Sequence, residues 1–157
     1  MELRGNEVVL RTTAEGDSEV LDRILREPEV AAWWPPLDDY EGMLAVVFGG
    51  EVIGAVTFDE ETDPEFRRAG IDIFLTASHH GKGLGADTVR TLARWLLQER
   101  GHHRLTIDPA AANTAAIRSY SRAGFKPVGI MRAYWRDRRT GTWQDGLLMD
   151  LLADELT

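Results

Sequence analysis

Three glycines at alternate positions, Gly81, Gly83 and Gly85, constrain the fold of this chain more than any other feature of its sequence. They stand between an apolar segment typical of a β-strand, Ala69 to Thr76, and a following segment whose apolar residues recur at helical spacing. Consecutive backbone N–H groups can face one concavity here, because no Cβ blocks the approach of a ligand. The helix start adds about half a positive charge. The pattern predicts a strand–loop–helix unit that binds a phosphate or pyrophosphate group.

The loop does not match the two common nucleotide-binding motifs. A Walker motif needs Ser or Thr directly after its lysine, whereas Lys82 is followed by Gly83. The dinucleotide-binding fingerprint needs a glycine at the position that Thr88 occupies. Both kinds of nucleotide site are therefore excluded, and a glycine turn that binds no ligand is the alternative interpretation.

Apolar patterning predicts the element order β α α β β β α β α β β, with Thr13 capping the first helix. Two apolar runs, Met43 to Phe48 and Glu51 to Phe58, flank Gly49-Gly50 and predict a β-hairpin, since both turn residues must reach positive φ. The strand–helix–strand order that follows predicts parallel pairing. The fold class is therefore mixed α/β. It is not a Rossmann fold, whose strands and helices alternate from the start.

Composition fits one folded domain over residues 1–157 and restricts its partners. The net charge of −8, from 18 basic and 26 acidic residues, argues against nucleic-acid binding and favours a cationic small-molecule partner. The absence of cysteine removes disulfides, thiolate metal sites and cysteine nucleophiles. We expect a cytoplasmic protein without membrane association, because neither a signal peptide nor a membrane-spanning run is apparent. Monomer and homodimer both remain open.

The run His80-Gly81-Lys82-Gly83-Leu84-Gly85-Ala86 resembles the R/Q-x-x-G-x-G/A signature of the GNAT superfamily of acyl-coenzyme A N-acyltransferases, with His80 replacing the usual Arg or Gln. The predicted element order is similar over nearly the whole chain. The resemblance implies a GNAT fold, with a mixed central sheet of six to seven strands flanked by about four helices, and acetyl-coenzyme A (acetyl-CoA) as cofactor. The cofactor residues that it implies are Phe74, Thr76, His80, Gly81, Lys82, Gly83, Leu84, Gly85, Ala86, Asn113 and Ala116.

Within the superfamily, several segments resemble the aminoglycoside 6′-N-acetyltransferases. They are Glu61-Thr62-Asp63-Pro64, Gly70-Ile71-Asp72, Asp108-Pro109, Asn113, Ala116-Ile117-Arg118, Tyr120, Ala123-Gly124-Phe125 and the pair Trp33-Trp34. That family commonly has an extra helix after the tryptophan pair, whereas only Pro35 to Gly42 fill the gap here, so we expect a more open substrate cleft. The closing segment, Arg132 to Asp150, is more similar to RimJ/RimL-type and siderophore-associated acetyltransferases. The resemblance implies acetylation of an aminoglycoside at its 6′-amine, and with it antibiotic resistance.

Asp72 is the candidate base of such a reaction. An amine attacks a thioester only as the free base, so the site must accept a proton from the substrate. Asp72 stands between Ile71 and Ile73 in an apolar strand, where a carboxylate is costly unless it faces a polar site. Efficient proton uptake requires burial that raises its pKa. The alternative is a solvent-facing residue on an alternating strand. Direct transfer is predicted, because the chain lacks cysteine and a Gly-x-Ser-x-Gly elbow.

Tyr120 is the candidate acid. It lies seven residues beyond Asn113, about two helical turns away on the same face. Asn113 is predicted to cap the helix, a role open also to Thr114, and to bind the pantetheine arm of the cofactor. Tyr120 can then donate a proton to the departing thiolate. The alternative interpretation of Tyr120 is an aromatic residue of the core.

The predicted contacts of an amine substrate are Trp33, Trp34, Asp59, Glu60, Asp72 and Asp108. Asp108 ends a strand and is a candidate to hold a second ammonium group, although Asp-Pro also starts ordinary turns. The acidic run Asp59 to Glu65 predicts either a solvated loop or a lip that binds a polycation. One tryptophan of the pair is expected in the core, and the other is expected to stack on the substrate or cover the acetyl group.

A metal site and two other functions are the competing interpretations of the sequence. The pairs His79-His80 and His102-His103 do not predict a metal site, because neighbouring side chains rarely reach one ion and no third ligand accompanies them. Acetylation of another amine, such as a polyamine, a siderophore hydroxylamine or a protein N-terminus, is the nearest alternative function. A non-catalytic acyl-CoA sensor is the alternative from a different class.

Overall fold

The computed structural model describes all 157 residues and builds them around one eight-stranded sheet. The strands are β1 (Glu2–Arg4), β2 (Val9–Thr12), β3 (Leu44–Phe48), β4 (Glu51–Glu61), β5 (Arg68–Leu75), β6 (Arg104–Ile107), β7 (Lys126–Arg136) and β8 (Trp143–Leu152). The helices are α1 (Asp17–Leu25), α2 (Pro28–Ala31), α3 (Leu84–Gln98) and α4 (Thr114–Ala123). The mixed α/β class and the four helices are confirmed. The sheet has eight strands instead of the predicted six to seven, because the three residues of β1 are too few to show an alternating pattern.

The strands lie in the order β1-β2-β3-β4-β5-β6-β8-β7, and every neighbouring pair is antiparallel except β5 and β6. Helix α3 makes the parallel crossover between these two strands, as the sequence predicts. The parallel pairing predicted for the strands on either side of α4 is wrong, because β8 lies between β6 and β7 and pairs antiparallel with both. Only two residue pairs join β5 and β6, Ala69 with Leu105 and Gly70 with Thr106. Asp72 lies just beyond the last of these pairs. Beyond this point β5 and β6 are not paired, and residues that follow in both segments line a cavity.

Two hydrophobic clusters cover opposite faces of the sheet. Neighbouring residues of a strand point to opposite sides. Accordingly, Ile73 of β5 packs in the cluster beneath α3 and α4, whereas the next residue, Phe74, packs beneath α1 and α2. The apolar stripe predicted for α3 is fully buried, including Val89, Leu92 and Leu96. The sheet is therefore clamped between two helical layers at its centre.

The helix ends follow local hydrogen bonding. Asn113 caps α4 as predicted, because its side chain accepts the N–H of Ala116 at 3.3 Å. The predicted cap of α1 by Thr13 is wrong. That helix begins after Gly16, and Asp17 instead turns its carboxylate back to the N–H of Ala14 at 2.7 Å. The longest helix, α3, has 15 residues, and no helix has the length and apolarity that crossing a membrane requires.

A buried carboxylate on α3 fastens the start of the chain to the sheet. Asp87 is 6% exposed and accepts the backbone N–H groups of Asn6, Glu7 and Val8 at 3.0, 2.8 and 3.0 Å. Three donors converge on one carboxylate, and hydrogen bonds to charged groups are the stronger kind. Asp87 therefore holds the turn between β1 and β2 against α3.

Replacing Asp87 by Asn is expected to lower the free energy of unfolding by about 2 kcal/mol, because one charge-assisted acceptor is lost and an amide N–H₂ group faces backbone donors. Urea denaturation measures the change. Asp38→Asn is the matched control, since Asp38 is exposed. Equal unfolding midpoints for the two variants would show that the Asp87 contacts contribute little.

Candidate active site

The glycine loop joins the end of β5 to the start of α3. Gly81 and Gly83 have φ angles of 76° and 81°, in the left-handed region that glycine enters without a steric penalty. Gly83 directly precedes α3, and its carbonyl accepts the N–H of Asp87. The N–H groups of residues 84–86 are therefore left without a helical acceptor at the helix start. They form the row of donors that the sequence predicts for a pyrophosphate.

Glu27 fixes the entry to this loop, and the sequence analysis did not identify it. It directly precedes α2, and its carboxylate accepts the hydroxyl of Thr76 at 2.6 Å and the N–H of Ala77 at 2.8 Å. His80 closes the same turn, with its Nε2 atom 2.8 Å from the carbonyl oxygen of Leu75. The loop is thus connected to α2. No local motif signals this, because Glu27 and Thr76 are 49 positions apart.

A cavity of about 980 Å³, here called the loop cavity, runs along the glycine loop and α4. Seven of the predicted cofactor residues line it: Phe74, His80, Gly81, Gly83, Gly85, Asn113 and Ala116. Its size is at the upper end for small-molecule sites. The bare N–H row suits a diphosphate, and the length of the cavity leaves room for an extended arm. The residues present therefore fit acetyl-CoA.

The other four predicted cofactor residues do not line the loop cavity. Leu84 and Ala86 are buried in the core, and Lys82 faces solvent. The hydroxyl of Thr76 is occupied by Glu27. At Thr76, Leu84 and Ala86 only backbone groups remain as candidate contacts.

A second cavity, of about 500 Å³ and here called the sheet cavity, lies against the strands β4 to β8. Asp59, Asp72 and Asp108 give it an acidic lining. Arg68 and Arg104 also line it, but each already pairs with a carboxylate. Arg68 pairs with Asp59 at 3.1 Å, and Arg104 pairs with Asp150 of β8 at 3.2 Å. Asp72 and Asp108 have no such basic partner. The lining is suited to bind a cation at these two residues.

The two cavities share three lining residues, Asp72, Asp108 and Tyr134. A molecule in the loop cavity and a molecule in the sheet cavity would therefore meet at these side chains. Tyr134 is a site residue that the sequence analysis missed. The predicted residues Asp72, Asp108 and Tyr120 are brought together here, although they come from three different elements.

The Asp72 side chain is exposed to solvent at the junction of the two cavities, whose walls replace part of the water around its carboxyl. The loss of water around it, followed by the negative charge of Asp108, raises its pKa to about 7. The N–H of Ile73, 3.0 Å from Oδ1, partly offsets this rise. A carboxyl with this pKa can take up and release a proton near neutral pH.

Tyr120 projects from α4 into the loop cavity and is 7% exposed. Burial raises the pKa of its phenol, and the charges of Asp72 and Asp108 raise it further. The hydroxyl therefore stays protonated at neutral pH and can serve as a donor. Asn113, two turns earlier, uses its Oδ1 atom in the helix cap.

The two tryptophans differ in their surroundings, and Trp34 is the member of the pair that packs against the core. Trp34 packs edge-on against Phe74 at 4.9 Å between ring centres, and its indole N–H donates to the carbonyl of Ile73 at 3.0 Å. Trp33 is 38% exposed and meets the edge of Trp135 at 6.0 Å. Both line the loop cavity. Trp33 is therefore the member of the pair that is free to contact a ligand.

The first residues of the acidic run Asp59 to Glu65 belong to strand β4 and not to a loop. As a result, Glu60 does not face the sheet cavity, and its prediction as a substrate contact is wrong. Strand β4 continues to Glu61, so Asp59 and Glu60 point to opposite faces. Asp59 lines the sheet cavity, whereas Glu60 pairs with Arg100 at 2.7 Å and His102 at 2.6 Å. Hydrogen bonds from Arg100 and then His102 lower the pKa of Glu60 to about 2. Glu60 thus forms structural ion pairs on the face of the sheet opposite the sheet cavity.

The fold, the glycine loop and the donor-sized cavity together define a GNAT-type acetyltransferase, and the chain belongs to the Acetyltransferase (GNAT) family, which it matches over residues 10–125. It is an acyl-CoA N-acetyltransferase, and acetyl-CoA is its acetyl donor. The resemblance noted from the sequence is confirmed.

The relatives include enzymes of aminoglycoside modification. Aminoglycoside N(6')-acetyltransferase type 1 from Klebsiella pneumoniae is 32% identical, with 79% of this chain and 76% of the relative covered. The structure of AAC(6')-Ib in complex with paromomycin and acetyl-CoA has a TM-score of 0.75 and 26% identity, with 96% of both chains covered. Mycobacterium smegmatis RimJ in complex with CoA-disulfide has a TM-score of 0.83 and 21% identity, covering 99% of this chain and 88% of RimJ, and shares the fold.

Proposed function

We propose that this acetyltransferase transfers acetyl directly from acetyl-CoA to a primary amine of an aminoglycoside antibiotic, at the 6′ position, and thereby confers resistance. The observation that carries the proposal is the place of Asp72. It stands where the loop cavity, which fits the donor, meets the acidic sheet cavity, which suits a polycationic acceptor. The similarity to aminoglycoside N(6')-acetyltransferases supports the same acceptor.

Bound acetyl-CoA supplies the activated acetyl thioester. In the proposed reaction Asp72 attracts the substrate ammonium group and accepts its proton, directly or through a water molecule. A pKa of about 7 suits this task, because at neutral pH a large share of Asp72 is ionised and ready to accept. The N–H groups at the start of α3 hold the diphosphate and so fix the position of the thioester.

Tyr120 is the proposed proton donor to the leaving thiolate. Its phenol lies in the loop cavity beside Asp72 and Asp108. Burial, and then the charges of these two carboxylates, raise the pKa of the phenol and keep it protonated. Asp108 and Asp59 are the proposed partners of further ammonium groups, and Trp33 is the proposed surface for stacking on a sugar ring.

A pair of acceptors that differ at one group tests the proposed function. Neamine carries an amine at the 6′ position, and paromamine carries a hydroxyl there. Release of CoA thiol is expected with neamine and acetyl-CoA, at least about 100-fold faster than with paromamine, because a hydroxyl is a far weaker nucleophile at neutral pH. NMR of the product locates the acetyl group. No thiol release with neamine, or equal rates with both acceptors, would contradict the proposal.

A protein or peptide N-terminus is the second candidate acceptor, and one observation favours it. Arg68 and Arg104 line the sheet cavity beside the carboxylates, which a strongly cationic acceptor does not require. An acceptor with a single ammonium group and neighbouring amide groups would fit a lining of mixed charge. Thiol release with an alanine-initiated peptide and none with neamine would favour this candidate.

A further inference from the structure

Tyr134 lies where the loop cavity and the sheet cavity meet, and its hydroxyl donates a hydrogen bond to the Asp108 carboxylate. We propose that Tyr134 is a positioning residue that holds Asp108 in place to bind the ammonium group of the acceptor. The inference rests on the proposed transfer to an amine. It adds a residue and a role that neither the glycine-loop signature nor the acidic lining implies.

The backbone of β7 is distorted at the point where Tyr134 enters the site. Between the paired positions Met131 and Trp135, three residues of β7 face only Asp145 of β8. Ala133, the middle one, has a φ of 48°, a left-handed conformation that is uncommon for a residue with a Cβ atom. Its N–H donates to the Asp145 carboxylate at 2.9 Å, which holds the bulge in this shape.

The bulge decides where Tyr134 points. In a regular strand Met131 and Tyr134 would face opposite sides of the sheet, because side chains alternate. Here both line the sheet cavity. Gly146 of β8 makes room for the ring, since a Cβ atom there would lie 2.6 Å from Cδ2 of Tyr134. Two separate features, a strained alanine and a missing side chain, therefore serve the placement of one phenol.

The chain next to Asp108 is hydrogen-bonded to β8, the strand that also pairs with the bulge of β7. The carbonyl of Pro109 accepts the N–H of Leu147 at 2.8 Å, and the N–H of Ala111 donates to the carbonyl of Asp145 at 2.9 Å. Asp145 thus holds the backbone on both sides of the contact between Tyr134 and Asp108. The phenol uses one carboxylate oxygen, Oδ2, and leaves the other for the substrate.

A double-mutant cycle tests whether Tyr134 acts through Asp108. Tyr134→Phe removes only the hydroxyl, and we expect the KM for neamine to rise about tenfold, while kcat changes by less than about threefold. Asp108→Ala is expected to raise KM at least as much. Adding Tyr134→Phe to Asp108→Ala should then change KM no further. Additive effects on KM, or a loss confined to kcat, would overturn the inference. Tyr120→Phe, by contrast, should lower kcat and leave KM nearly unchanged.

Tyr40→Phe is the matched control. Tyr40 also donates its hydroxyl to a carboxylate, that of Asp22, but it packs under α1 and lines neither cavity. This variant is expected to keep the wild-type KM even if its stability falls. Gly146→Ala keeps both the phenol and the carboxylate in the chain but displaces the ring, so it should raise KM as Tyr134→Phe does.

A spectroscopic titration tests the contact without any substrate. The hydrogen bond to Asp108, together with burial, raises the pKa of Tyr134 to about 12, and the pKa values of Tyr40 and Tyr120 are also raised. No tyrosinate absorbance is therefore expected near pH 10 in the wild type, whereas Asp108→Ala should release one tyrosine that ionises there. Unchanged titration curves would overturn the inference.

The two readouts also separate this inference from the proposed function. If the wild type does not acetylate neamine, the proposed acceptor is wrong. The double-mutant cycle is then run with spermidine or an alanine-initiated peptide. A KM effect that depends on Asp108 with one of those amines still supports the role of Tyr134. Its absence with an accepted amine contradicts that role alone.

Discussion

Replacing Asp72 by Asn is expected to lower kcat/KM for the amine by about 100- to 1000-fold, the range typical of a lost general base. The amide keeps the shape of the side chain and its acceptor for the N–H of Ile73. It cannot accept the substrate proton, and it carries no charge to attract an ammonium group. Affinity for CoA, measured by calorimetry, should stay within about threefold of the wild type, because the proposed site of the diphosphate is the glycine loop and not Asp72.

The pH dependence of the same two proteins provides a second readout. The pKa of Asp72 is raised to about 7, so the base form is lost as pH falls through this value. The wild-type kcat/KM should therefore fall about tenfold for each pH unit below 7, in excess of the effect of the substrate's own titration. Asp72→Asn should show only the substrate's titration. The ratio of kcat/KM for the wild type to that for Asp72→Asn isolates the effect of the Asp72 titration.

Stability separates loss of chemistry from loss of fold. A raised carboxyl pKa means that the folded state binds the proton more tightly than the unfolded state, so stability from this group falls as pH rises from about 4 to 7. Asp72→Asn removes that penalty and should melt no lower than the wild type at pH 8. Asp63→Asn, in the exposed turn after β4, is the control for activity. Activity of Asp72→Asn within about tenfold of the wild type would remove Asp72 from the role of base.

Replacing Gly83 by Val is expected to raise the dissociation constant of CoA by about 100-fold or more. The φ of 81° is strained for a side chain branched at Cβ, by about 1–2 kcal/mol, and position 83 directly precedes residues 84–86, whose N–H groups are the candidate donors. Both the backbone strain and the added side chain should disturb the proposed diphosphate site. Calorimetric titration with CoA measures the change.

Gly16→Val is the matched control for backbone strain. Gly16 also precedes a helix, α1, with a φ of 92°, and a Cβ atom there would meet nothing within 4 Å. It lines neither cavity. The two variants should show a similar loss of stability, and only Gly83→Val should show a loss of affinity for CoA. Equal CoA affinity in both variants would show that the diphosphate is bound elsewhere.

The sequence predicts the glycine loop and the two helices beside it well because their signals are local. The glycines, the apolar stripe of α3 and the cap at Asn113 each lie within a few residues of what they determine. Asp72 is also identified locally, as a carboxylate between apolar neighbours. Contacts between distant segments were not predictable in this way. Glu27 meets Thr76 across 49 positions, and no nearby residue announces that partner.

Register explains the errors on the acceptor side. Whether Asp59 or Glu60 faces the sheet cavity depends on where β4 ends and on which face is buried, and an acidic run carries no such information. Tyr134 was missed for a related reason. Its direction is set by a bulge, and a bulge breaks the alternation from which facing is predicted.

The sheet cavity is walled by strand residues and by Asp108 directly after β6, and no helix intervenes between α2 and β3 to roof it. An acceptor that binds in the sheet cavity as proposed would be held at its reacting nitrogen, while the rest of the molecule extends into water. Bulky substituents remote from that nitrogen meet no wall, so the enzyme should tolerate scaffolds of very different size. Selectivity then resides in the immediate surroundings of one atom, which makes such a chain an adaptable starting point for accepting new amines.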